Sequence, residues 1–68
     1  MTKYKNGIYE GDYGVSYFIK DGKVLLKHLG TMYKATPHFV FGNYKYPLTD
    51  DMNNTFEEVY NNEKVKQW

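Results

Sequence analysis

Val15-Ser16-Tyr17-Phe18-Ile19-Lys20-Asp21-Gly22-Lys23-Val24-Leu25-Leu26-Lys27-His28 decides the fold. Two alternating apolar runs flank Asp21-Gly22, a pair suited to the positive φ angles of a type I′ turn. With a two-residue loop, Lys20 faces Lys23, Ile19 faces Val24 and Phe18 faces Leu25. Tyr17 then faces Leu26, Ser16 faces Lys27, and Val15 faces His28. Directly paired residues lie on one side of a sheet. Val15, Tyr17, Ile19, Val24, Leu26 and His28 therefore make a core face. Ser16, Phe18, Lys20, Lys23, Leu25 and Lys27 make the reverse. A slip of one residue would exchange the two.

Working outward, Asn6-Gly7 and Gly42-Asn43 are further turn pairs, suited to types I′ and II′. Tyr4 to Tyr9 reads as a tiny hairpin or a kinked first strand, and Glu10-Gly11-Asp12 as a connection. The first strand of the central hairpin is taken from Tyr13. Gly30-Thr31 breaks its return strand, read as Lys23 to Leu29, and Met32 to Thr36 forms another strand that stops at Pro37. A loop at Gly42-Asn43 would set Phe41 opposite Tyr44 and Phe39 opposite Tyr46, all four aromatics on one face. Such a cluster reads mainly as core; a Tyr-lined sugar-binding surface is the lesser alternative.

After Pro47 the pattern becomes helical. Thr49 is a candidate N-cap with Asp50 and Asp51 in the first turn, and Thr55-Phe56-Glu57-Glu58 is an alternative capping box. Met52, Phe56, Val59 and Tyr60 form one apolar stripe, with Val65 and Trp68 off it. The expected organisation is one domain over 1–68: β-rich 1–47, helix 48–62 and tail 63–68. The fold class is α+β, an antiparallel meander of about four strands with one C-terminal helix. A small SH3-like barrel plus a helix is the alternative architecture.

Composition narrows the chemistry. The chain has no cysteine, so neither a disulfide framework nor a thiolate metal site is available. It has no bilayer-length apolar run and no charged-then-apolar leader, and a cytoplasmic setting is expected. Arginine is absent while Lys occurs nine times, which removes any guanidinium fork for phosphate or guanine. Lys, Asn and Tyr come from A/T-rich codons, pointing to a low-GC bacterium or one of its phages or plasmids. Residues 1–47 carry seven Lys against Glu10, Asp12 and Asp21, a balance of +4, and residues 48–68 carry two against five acids, a balance of −3. Either the sheet attracts an anionic partner or the two halves dock and cancel.

No catalytic constellation emerges. Ser16 and His28 fall on opposite faces of the hairpin, so they cannot act as nucleophile and base. His28 and His38 lack a metal-site spacing and a third ligand, and Asp50, Asp51, Glu57 and Glu58 lack that of a calcium loop. No enzyme activity, cofactor or small-molecule substrate is inferred.

Binding remains. A helix about 10 Å wide cannot cover a sheet whose strands are about 4.8 Å apart. Phe18 and Leu25, rimmed by Lys20, Lys23 and Lys27, are the candidate partner-binding centre, since interfaces pair an apolar middle with a charged rim. Cover by the chain's own ends is the structural alternative. Trp68 is a second candidate, anchoring the tail on a partner or on its own domain. The expected function is a non-catalytic protein-binding module of the kind phages and plasmids encode to modulate or inhibit another protein, with self-association as an alternative partner. The competing function is single-stranded nucleic-acid binding, by lysines interleaved with aromatics at Lys3-Tyr4-Lys5, Tyr33-Lys34 and Tyr44-Lys45-Tyr46.

Overall fold

The computed structural model describes residues 4–36 and 42–68. The central hairpin forms β2 (Val15–Lys20) and β3 (Lys23–His28), in the register that Asp21-Gly22 implies from Val15↔His28 to Lys20↔Lys23. Asp21 and Gly22 have φ of 50° and 80°. Asn6 fastens this turn from outside. Its Oδ1 accepts from the Asp21 backbone N–H at 2.9 Å, and its Nδ2 donates to Asp21 Oδ1 at 3.3 Å. Asn6-Gly7 is therefore a kink into β1 (Gly7–Gly11).

Around the hairpin stand β1, β4 (Thr31–Ala35), β5 (Gly42–Tyr46) and β6 (Lys66–Gln67), in the order β5-β1-β2-β3-β4-β6. All pairings are antiparallel except that of β6 with β4. The described residues thus contain six strands, where the sequence suggested about four. The meander itself, β1 to β4, follows the chain. The sheet is open among the described residues, so the alternative of a closed barrel is not formed.

Two local readings need correction. Glu10-Gly11 and Gly42-Asn43 are not loops: Glu10 pairs with Asn43 and Gly11 with Gly42, side by side in β1 and β5. The reason is a close approach. A Cβ on Gly42 would run into the Glu10 carbonyl, so only glycine lets the strands meet there. A register shift beside Ile8 and Tyr9 then sets Tyr44 opposite Tyr9 and Tyr46 opposite Ile8, consecutive residues with opposite orientation. Tyr44 and Tyr46 therefore do not share one face as expected. Phe39 and Phe41 lie outside the described residues.

The expected core face is buried. Tyr9, Tyr17, Ile19, Val24, Leu26 and Ala35 form one cluster, with Tyr4, Val15 and Tyr33 packed against it. Aromatic rings reach this face from both margins of the sheet. Tyr4 and Tyr44 stand edge-on to Tyr9 at 5.7 and 5.5 Å, and Trp68 packs on Tyr33 at 5.1 Å and on His28 at 5.6 Å. Edge-to-face pairs add about 0.5–1.5 kcal/mol each beyond their buried area. Tyr9 also donates its hydroxyl to the Lys5 carbonyl at 2.8 Å, and burial, which pushes its pKa above the ordinary value, keeps that hydroxyl protonated.

The helix α1 spans Asp50–Tyr60 and starts at Thr49, whose Oγ1 accepts from the Met52 N–H at 3.3 Å. Thr55 lies inside it, so the later capping box is not used. At its end the Asn61 backbone N–H and side-chain amide both donate to the Glu57 carbonyl, at 3.1 and 2.9 Å. The Val65 N–H then donates to the Asn62 carbonyl at 3.1 Å, turning the chain back toward β4.

Replacing Gly42 with alanine should force β5 away from β1 and cost about 1–3 kcal/mol, the usual range for overpacking. Urea denaturation would read this as a lower midpoint with little change in slope.

Candidate functional site

Phe18, Lys20, Lys23, Leu25 and Lys27 do share one face of β2 and β3. The helix lies against that face. Leu25 is wholly buried, Phe18 is half-buried, and both border the same groove as Phe56, itself 2% exposed. The uncovered apolar centre suggested by the sequence is thus largely the seat of α1. The reason is the Met52-Phe56-Val59 stripe, which brings Phe56 down onto the sheet.

The lysine rim is divided in the same way. Lys20 Nζ lies 3.0 Å from Glu57 Oε1. Lys23 and Lys34 stand 5.4 and 5.3 Å from the centre of the Tyr60 ring, within cation–π range. These three lysines clamp the helix to the sheet. Docking of the acidic half on the basic half thus accounts for part of the charge asymmetry. Hydrogen bonding and charge from Lys20 hold the Glu57 carboxyl below its usual pKa. Lys27 is exposed, and among the described residues neither it, Lys64 nor Lys66 joins an ion pair.

Trp68 is docked on its own domain and still 45% exposed. Its backbone N–H donates to the Lys34 carbonyl at 2.7 Å, and the Gln67 amide reaches the same oxygen at 3.2 Å.

The helix leaves a groove unfilled beside the β3–β4 hairpin, of about 380 Å³. Phe18 and Leu25 lie at its base, and Met32, Met52 and Val59 line its walls. It shares Gly30, Met32 and Val59 with a second depression of about 460 Å³ that ends at Lys64 and Lys66. Methionine walls adapt to apolar groups of different shape. Met52, on the helix, is 38% exposed.

Next to this groove is a feature that the sequence reading missed. Tyr13-Gly14 and Leu29-Gly30 are two-residue turns like Asp21-Gly22. Val15 N–H donates to the Asp12 carbonyl across the first, and His28 pairs with Thr31 across the second. The φ angles are 60° and 74° in one, 49° and 83° in the other. Position one of such a turn favours Asn, Asp or Gly, and a bulky side chain there costs about 1–2 kcal/mol. Tyr13 is nonetheless 91% exposed and Leu29 79% exposed. The pairing Val15↔His28 puts both turns at one end of the sheet. A Cβ on Gly14 would lie 3.9 Å from Leu29 Cδ2. The signal was available: Tyr-Gly and Leu-Gly each separate runs of strand residues.

Ser16 pairs with Lys27 and His28 with Val15, so serine and histidine stand on opposite faces. Among the described residues, no group of three or more His, Asp or Glu is placed to hold a metal ion. His38 and Lys3 lie outside the described residues. No described helix is long and apolar enough to cross a membrane.

Leu25→Ala should cost about 2–5 kcal/mol, as for other buried leucines, and would be read as a loss of folding stability. Glu57 gives a pH signature. A lowered folded pKa contributes stability above the unfolded value, about 4.3, which is lost as pH falls through the folded value. Glu57→Gln should therefore flatten the acid limb of stability against pH by removing this contribution at neutral pH, while leaving stability at low pH nearly unchanged. Compared with known proteins, the chain matches no family model, no curated protein and no solved structure.

Proposed function

We propose that this chain is a non-catalytic protein-binding module. The observation that carries the reading is the pair Tyr13 and Leu29, held exposed in left-handed turns at the end of the sheet where Gly30 borders an open apolar groove. Backbone strain at exposed apolar side chains marks a site of contact more often than one of folding, because the fold gains nothing from them. The contact surface comprises this turn end and the groove, with Phe18 and Leu25 as its base and Lys27 on its margin. Trp68 offers a second exposed aromatic at the β4 edge. Lys20 and Lys23 act through the helix they hold.

The Lys-, Asn- and Tyr-rich, arginine-free composition fits an A/T-rich source. On that footing the module is a small cytoplasmic modulator or inhibitor of another protein, of the phage or plasmid type.

One observation favours the nucleic-acid reading. Tyr46 is 59% exposed next to Lys45 on β5, and Lys5 lies 3.9 Å from the centre of the Tyr44 ring. Tyr44 is occupied by Tyr9 and Lys5, however, which leaves Tyr46 as the freer stacking surface on β5.

Affinity capture from source-cell lysate, with and without nuclease, separates the two. The module should retain one protein in near-stoichiometric amount after nuclease. Met52→Glu should abolish that capture, since it puts a charge in the groove at an exposed helix position. Recovery of nucleic acid, with affinity falling steeply in salt, would favour the second reading.

A further inference from the structure

We infer that the turn end and the groove mate with a second copy of this chain, forming a two-fold dimer. The inference rests on the reading of this end as a protein-contact surface and names an occupant for it. Along the surface the order runs from Asp12 and Tyr13, through Leu29 and Gly30, to the groove and the adjoining second depression, which Lys64 and Lys66 border. Leu29 adjoins the Gly14 turn on one side, and its neighbour Gly30 lines both depressions on the other. Projection and recess are thus side by side. A two-fold axis in the middle of this row lays each copy's Tyr13 and Leu29 over the other's groove. The contact closes on itself, as a self-complementary patch must.

Charge agrees with this arrangement. Asp12, exposed beside Tyr13, has no ion-pair partner among the described residues, and neither do Lys64 and Lys66, which border the second depression. Reversing the row brings the acid of each copy to the lysines of the other. The net charge of +1 offers little repulsion between copies. Domains of this size have little core, and association commonly supplements it.

The test is sedimentation of the full chain from about 10 to 500 μM, where contacts of moderate affinity are populated. The expected mass moves from one chain toward two. Leu29→Asn is the diagnostic variant. It suits the left-handed turn better than leucine, so the dilute monomer should keep or gain stability while association weakens at least about tenfold. Asp12→Lys and Lys64→Glu should each weaken self-association, and mixing the two variants should restore it, because both contacts of the mixed dimer become attractive. A single-chain mass throughout overturns the inference. So does a dimer that Leu29→Asn leaves unchanged, or a monomer that this variant unfolds. Retention of another protein from lysate by a chain that sediments as a single copy overturns the dimer and leaves the binding module standing.

Discussion

The turn at Asp21-Gly22 is the constraint on which the rest of the structure depends. Its two positive φ angles set the register of β2 against β3. That register decides that Tyr17, Ile19, Val24 and Leu26 share one face while Phe18 and Leu25 share the other. Asn6 extends the constraint to β1 by hydrogen bonding the turn on its outer side. With three strands aligned, each face presents a continuous apolar surface that the remaining chain must enclose.

The two faces are enclosed by different means. The Tyr17–Leu26 face is closed from the margins by Tyr4 and Tyr44 at one edge and by Tyr33 and Trp68 at the other. The Phe18–Leu25 face receives one helix, fixed by Phe56 and by lysines on Glu57 and Tyr60. A single helix is narrower than the sheet, so the strip between it and the β3–β4 hairpin stays open as the methionine-walled groove. The surface read as functional is thus a consequence of covering a wide sheet with a short helix.

How much of this was legible in the chain can be judged from particular residues. The central hairpin, the core face, the Thr49 cap and the Met52-Phe56-Val59 stripe were readable, because each depends on local spacing and turn chemistry. Gly42 was misread as a turn because its role is to let Glu10's carbonyl approach, a contact across 32 residues. Phe18 and Leu25 were placed on the right face, but their cover was not evident. Nothing local says where a helix connected through Pro47 will lie. Tyr13 and Leu29 were assigned to strands because aromatic and aliphatic residues favour them, while the following glycines were the signal for turns.

Sequence alone determined the alternation, the turn pairs and the caps, since these are set within a few bonds of the residues concerned. It also determined what chemistry is missing, in a chain without cysteine or arginine. Tertiary structure decided which apolar face receives the helix, which lysines are engaged and which stay free, and that Trp68 returns to the β4 edge. It also decided that Tyr13 and Leu29 meet at one end beside the groove. These outcomes depend on contacts between distant residues, whose energies are settled only when the whole sheet is assembled.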